Sequence, residues 1–252
     1  MIKYLTDKVF SFQKKINTKI DNANQTQEVI NLVKHSLKYS FAKTTTEYNI
    51  LQFIKSYDQT LKKKTDGALV ECGVWKGIYL VLFRKLDEIN NIKNRKIYGY
   101  DTFEGTPEPL KKYNKYNVDR LGKSLSDEYF KKFKDGKSGW NNTKIDEVKM
   151  NFDLNVNDNK NLYLIKGKVE KTLLDEKNIP DSIAILKIDT ALYESYQVSF
   201  KRLANKVSKN GVIIVDNYLS YAGIKKATDE YIMENNFEIK IDKYSRNAVI
   251  YK

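Results

Sequence analysis

The chain has 252 residues and a mass of 29.4 kDa, enough for one α/β domain with a real core and an appendage of some tens of residues. At 41% hydrophobic and 31% charged, with a formal net charge of +13, it has the composition of a globular protein, which excludes a disordered one. No apolar run approaches the roughly 18–20 residues that span a bilayer, and a single cysteine, Cys72, excludes a disulfide framework and any multi-cysteine metal site.

Residues 1–15 alternate apolar and polar side chains without an apolar core or cleavage site, so no secretory signal is expected and a cytoplasmic protein is. Residues 1–65 read as a helical extension. The stretch 10–37 lacks Pro and Gly, and Tyr48, Leu51, Ile54, Tyr57 and Leu61 recur at helical spacing. From residue 66 the pattern changes to strands and helices in alternation. Strands are expected over 68–70, 96–100, 162–165, 183–188 and 212–215, with a terminal antiparallel pair over 237–241 and 247–251. Helices are expected over 77–89, 194–208 and 223–235. Residues 105–142 are polar, bear prolines and lack periodicity; they read as a lid or acceptor-binding insertion with short helices. This alternation predicts a mostly parallel sheet with helices on both faces, whose ligands lie beyond the carboxyl ends of the strands. Glu71, Asp101, Asp189 and Asp216 all fall at such ends, so four acids are expected along one rim.

The basic charge argues little for nucleic acid. Of 45 basic residues only five are arginine, the residue that reads phosphate and guanine bidentately, and the lysines are scattered. A solvated lysine surface that draws in anionic ligands is the simpler reading. His35 is the only histidine, so neither a His-based metal triad nor a Ser-His-Asp triad fits. Cys72, Trp75 and Trp140 read first as core residues.

Two constellations carry chemistry. Strand 68–70 runs into Glu71-Cys72-Gly73-Val74-Trp75-Lys76-Gly77, where glycines at a strand-to-helix turn let a ligand approach the backbone. Asp101, closing the second strand, is placed to accept hydrogen bonds from ribose hydroxyls. The pyrophosphate signature Gly-x-Gly-x-x-Gly is missing, which favours a nucleoside cofactor without phosphates, S-adenosylmethionine being the common one. Asp189 and the pair Asp216-Asn217 supply oxygen atoms from two neighbouring strand ends. They either cap the helices that follow or hold a hard cation such as Mg²⁺.

These residues resemble the macrocin O-methyltransferase family, class I enzymes that methylate sugar hydroxyls. The resemblance runs through residues 71–77, Asp101-Thr102-Phe103-Glu104-Gly105-Thr106-Pro107, Gly167 with Thr172-Leu173, the stretch from Leu186 to Ser195, and Gly211 to Tyr218, covering about residues 66–230. It implies a Rossmann-like methyltransferase domain over 66–252 with S-adenosylmethionine as methyl donor. By position it implies that Glu71, Gly73, Val74, Trp75, Gly77, Asp101, Thr102 and Gly167 bind the cofactor, and that Asp189, Asp216 and Asn217 hold Mg²⁺ beside the acceptor. The implied acceptor is a sugar hydroxyl, on a nucleotide-activated sugar or a glycan intermediate of surface-polysaccharide or natural-product biosynthesis. A homodimer through the N-terminal helices is a reasonable expectation.

Two positions depart from the family. Ala191 stands where a second Asp serves as general base in some members, and Asn217 stands where a second Asp is usual. Three explanations of Ala191 stay open: a base supplied by Tyr193, Glu104 or a lid residue, an acceptor that is already an anion, or a weakened variant. A rival from another class is a non-catalytic protein that binds S-adenosylmethionine and keeps the fold.

Overall fold

The computed structural model describes residues 47–252. The expected helix over 10–37, His35 and the dimer contact lie outside the described residues.

In chain order the elements are α1 (Glu47–Lys62), β1 (Ala68–Cys72), α2 (Ile78–Ile89), β2 (Ile97–Asp101), α3 (Leu125–Lys132), a short hairpin of β3 (Phe133–Lys134) and β4 (Lys137–Ser138), and α4 (Ile145–Asn155). Next come β5 (Leu162–Lys166), the single turn α5 (Val169–Thr172), β6 (Ile183–Ile188), α6 (Tyr193–Leu203), β7 (Val207–Val215), α7 (Ala222–Asn235), β8 (Ile239–Asp242) and β9 (Asn247–Tyr251). The main sheet has seven strands in the order β5-β2-β1-β6-β7-β9-β8. The first five are parallel, and β9 runs antiparallel between β7 and β8. Strand order reverses direction between β1 and β6, which makes their carboxyl ends the topological switch point.

Strand alternation divides the core in two. Val70, Cys72, Leu186, Ile188, Ile213 and Val215 pack toward α6 and α7, while Leu69, Ala184, Ile185, Val212 and Ile214 pack toward α1 and α2. Each fully buried Leu or Ile contributes roughly 1.5–3 kcal/mol of hydrophobic stabilisation. The same alternation has a polar consequence. Glu71 and Lys187 are register partners on the α1–α2 face, and both are buried. Two charges are thus placed opposite each other inside the sheet.

Three boundaries differ from those expected. The helix expected over 194–208 ends at Leu203, and β7 begins at Val207 rather than 212. Gly211 therefore lies inside the strand, where a Cβ would sit 2.7 Å from Val207 Cγ1 and 2.8 Å from the Ser208 carbonyl. Helix α4 was not expected, because its apolar anchors are sparse: it buries only Val148 and Phe152, one turn apart. β8 begins at Ile239 rather than 237, since Asn236 takes the left-handed conformation that ends α7 and the Phe237 amide bonds back to the Ile232 carbonyl.

Candidate active site

Each rim residue is held by the neighbouring strand. The Gly73 amide donates to the Tyr100 carbonyl at 2.8 Å, the Asp189 amide to Cys72 at 2.7 Å, the Asp216 amide to Ile188 at 2.9 Å and the Gly167 amide to Asp101 at 2.9 Å. The buried Tyr196 hydroxyl donates to the Ile188 carbonyl at 2.7 Å and to the Asp216 carbonyl at 2.8 Å, which locks the ends of β6 and β7 together. The rim opens into a cleft of about 1090 Å³ lined by Glu71, Asp101, Asp189 and Asp216. Ligand sites commonly run to roughly 300–1,000 Å³, so this cleft has room for a nucleoside and an acceptor together. The four strand-end acids expected on one rim are there.

Gly73 has φ +88, and a Cβ on it would lie 2.3 Å from the Asp189 carbonyl oxygen. Only glycine lets the turn after β1 pass this close to the start of the β6 loop. Gly73→Ala is expected to destabilise the fold by about 1–3 kcal/mol and to displace Asp189. Urea unfolding measures the first effect, and loss of methyl transfer reports the second. Gly77, at φ +81, faces Val148 of α4 at 2.9 Å from a virtual Cβ, so the helix that went unexpected is the one that backs the turn.

Asp101 ties the turn shut. Its Oδ2 accepts the Val74 and Trp75 amides at 2.8 and 2.9 Å, and its Oδ1 accepts the Phe103 amide at 2.8 Å and lies 3.3 Å from the Thr102 hydroxyl. Three of its roughly four acceptor sites are taken by backbone amides, and the Thr102 hydroxyl beside the fourth places its one proton nearer the Gly105 carbonyl, so a ribose hydroxyl could bond the remaining site. The Thr102 hydroxyl donates to the Gly105 carbonyl at 2.6 Å. Gly167, Trp75 and Thr102 line the same end of the cleft. Three buried acceptors of the lining lack a partner among the described residues: Glu71 Oε2, Glu170 Oε2 and Thr190 Oγ1. Glycines at the turn with these orphaned oxygens fit a ligand bearing hydroxyls and an ammonium, as S-adenosylmethionine does.

Beside that end sits a buried charge cluster. Lys187 Nζ lies 3.1 Å from Asp216 Oδ2 and 3.5 Å from Glu71 Oε1, bonds Asp189 Oδ2, and stands 4.0 Å from the centroid of the Tyr79 ring. Burial pushes the Glu71 carboxyl up to about 8 against the pull of Lys187. Burial, and then Asp216, push Asp189 up to about 7. Burial would depress the Lys187 ammonium, but Asp189, Asp216 and Glu71 outweigh it and hold it above the ordinary lysine range. Lys187 is the one ammonium in contact with these three carboxyl groups. Asn217 follows Asp216 in the left-handed conformation, at φ 59, and its amide donates to Asn247 Oδ1 at 3.0 Å. Among the described residues no three His, Cys, Asp or Glu side chains gather as a metal-binding group. The set of two carboxylates and an amide nevertheless fits a hard cation in donor chemistry.

Ala191 lies against an apolar patch of Leu125, Tyr129, Trp140 and Leu192, together with Tyr221. Helix α3 thus packs over Ala191. Both named sources of a base fall elsewhere. Tyr193 is buried away from the cleft; its hydroxyl donates to Glu230 Oε2 at 2.8 Å, and burial, reinforced by Glu230, raises it far above the ordinary phenol range. Glu104 is solvent-facing and paired with Lys166 at 2.7 Å. Tyr193, expected as a possible base, has its hydroxyl on Glu230 instead, while its neighbour Glu194 is a structural anchor. Glu194 accepts the Leu110 amide and Asn117 Nδ2, each at 2.8 Å, and so anchors the segment 110–117. Lys187, Glu170 and Tyr221 were not foreseen as site residues. Only Lys187 left a signal, as the one polar side chain in an apolar strand.

With the site in view, the comparisons decide the family. The profile of the macrocin-O-methyltransferase (TylF) family matches residues 39–252. The chain belongs to this family. It is an S-adenosylmethionine-dependent O-methyltransferase. Demethyldecarbamoylnovobiocin O-methyltransferase of Streptomyces niveus is 26% identical over 201 residues, covering 77% of this chain and 69% of that one. The 8-demethyl-8-(2,3-dimethoxy-alpha-L-rhamnosyl)-tetracenomycin-C 4'-O-methyltransferase of Streptomyces olivaceus is 26% identical over 152 residues, covering 60% of this chain and 53% of that one. Among solved structures, the O-methyltransferase NovP superposes with a TM-score of 0.68 at 24% identity, covering 82% of this chain and 81% of NovP. That likeness bears on the fold, and the Rossmann-like class I methyltransferase architecture expected of the family is the one observed. No helix among the described residues is long and apolar enough to cross a membrane.

Proposed function

We propose that this O-methyltransferase acts in the cytoplasm on a sugar hydroxyl, carried on a nucleotide-activated sugar or a glycan intermediate of surface-polysaccharide or natural-product biosynthesis. The observation that carries the reading is the cleft itself: a glycine turn with orphaned acceptors, and beside it a cluster of oxygen donors around Lys187. Residues 105–142 serve as the lid over the acceptor. Glu71, Gly73, Val74, Trp75, Gly77, Asp101, Thr102 and Gly167 are the cofactor side, and Asp189, Asp216 and Asn217 would hold Mg²⁺.

When bound, S-adenosylmethionine supplies a methyl group on a sulfonium, and the cation lowers the pKa of an acceptor hydroxyl as a Lewis acid. The chain supplies placement. Tyr196 and the backbone bonds between β1 and β6 set the two ends of the cleft in a fixed relation, and in-line positioning of two reactants contributes roughly 7–11 kcal/mol. Leu125, Tyr129, Trp140 and Leu192 exclude water over Ala191. Lys187 holds the Asp189 and Asp216 carboxylates toward the cleft. With alanine at 191, that position offers the acceptor hydroxyl no group to take its proton.

The test is methyl transfer from S-adenosylmethionine to a panel of nucleotide sugars, with and without Mg²⁺. Product on at least one sugar is expected; cofactor binding with no product on any hydroxyl acceptor would overturn the reading. Ala191→Asp is expected to raise kcat by about 10²-fold on a neutral hydroxyl. An unchanged rate would favour the second reading that Ala191 supports, an acceptor oxygen that is anionic before it arrives.

A further inference from the structure

We propose that Arg120 and Arg246 form a clamp for the diphosphate of a glycosyl diphosphate acceptor, a nucleoside diphosphate sugar; this rests on the sugar O-methyltransferase reading above. Three of the five arginines are spent on structure. Arg84 donates to the Arg95 and Lys160 carbonyls, Arg95 pairs with Asp87 at 3.1 Å, and Arg202 donates to the Leu173 carbonyl and pairs with Glu176. The guanidinium groups of Arg120 and Arg246 make no hydrogen bond or ion pair among the described residues. Both are exposed, and both line the cleft.

Their backbones are fastened to adjoining residues of the loop that follows β7. The Arg120 amide donates to the Ser220 carbonyl at 2.9 Å, and the Arg246 carbonyl accepts the Leu219 amide at 3.0 Å. Two segments far apart in sequence thereby bring two planar forks to the same loop, the one that carries Asp216 and Asn217. Each anchor has a second support. The Ala222 amide bonds the Val118 carbonyl at 3.0 Å beside Arg120, and Arg246 lies between the buried Ser245 and Asn247. Asp119, the acid next to Arg120, spends its Oδ1 on the Leu121 and Lys123 amides.

A guanidinium fork matches a phosphate bidentately, which a lysine ammonium does not. A neutral sugar needs no such pair. The two guanidinium groups are the match for phosphates, and Asp189 and Asp216 offer acceptors to hydroxyls, so an acceptor would lie with hydroxyls toward Asp189 and Asp216 and phosphates toward the two arginines. Tyr244, two residues before Arg246, is 75% exposed, lines the same cleft and stacks on Tyr48 at 5.2 Å with an interplanar angle of 21°. Its free face offers a platform for a nucleobase, which favours a nucleoside over a polyprenyl group on the far phosphate.

The experiment is calorimetry on the full chain saturated with S-adenosylhomocysteine, titrated with UDP, dTDP, inorganic pyrophosphate and geranyl diphosphate. UDP or dTDP is expected to bind, more tightly than pyrophosphate or geranyl diphosphate. Arg120→Gln and Arg246→Gln are each expected to weaken binding about tenfold, and the double variant about a hundredfold. Affinity for S-adenosylhomocysteine should stay unchanged, and so should UDP binding in the surface control Lys149→Gln. Equal UDP affinity in the double variant, or an equal loss in Lys149→Gln, would overturn the clamp. Tighter geranyl diphosphate than UDP would overturn the nucleoside. Methyl transfer to a neutral glycoside without any diphosphate binding would sink the clamp and leave the O-methyltransferase reading standing. Failure to bind S-adenosylhomocysteine would remove both.

Discussion

Lys187→Met is expected to destabilise the protein by about 3–5 kcal/mol, the cost of stripping the partner from a buried ion pair. The side chain is 1% exposed and is the cation shared by Glu71, Asp189 and Asp216. Methionine fills much the same volume, so the loss isolates charge from packing. The effect should also depend on pH. Glu71, raised to about 8, and Asp189, raised to about 7, have folded values above the ~4 of free carboxylates. The stability they carry is therefore full below pH ~4 and falls as the pH climbs through 7 to 8. Without Lys187 both values rise further, and the variant should lie closest to the parent protein in acid. Urea unfolding at pH 5 and pH 8 reads this directly; an equal deficit at both would show that Lys187 acts through packing alone.

Asp189→Asn is expected to lower kcat/KM by about 10³-fold while leaving S-adenosylhomocysteine affinity within a factor of about three. The substitution keeps the shape and the backbone bond to Cys72 but removes the charge that faces Lys187 and the acceptor end of the cleft. Steady-state kinetics with the best acceptor, paired with calorimetry for S-adenosylhomocysteine, separates the two ends. A parallel loss of S-adenosylhomocysteine binding would mean that Asp189 supports the glycine turn rather than the acceptor.

The strands that build the rim were legible because each is a short apolar run ended by Asp or Gly, a pattern that burial on both faces requires. Helix α4 was not, since Val148 and Phe152 offer too thin a stripe to register as periodicity. Gly211 misled for a related reason: a glycine reads as a strand opening, whereas here it relieves crowding against Val207 inside the strand. The chemical roles divide along the same line. Asp189 and Asp216 were readable as strand-end acids, but Tyr193 was not separable from them by spacing, and only the fold shows its hydroxyl turned to Glu230.

By itself the sequence determined the alternating architecture, the family, the glycine turn and the acids of the rim, because these follow from local patterns of burial and backbone freedom. Only the tertiary structure decided that Lys187 stands among three carboxylates, that Asp101 is occupied in holding the turn, and that Arg120 and Arg246 meet at one loop. Those facts depend on strand register and on contacts between residues far apart in sequence, such as Glu71 with Lys187, which no local pattern encodes.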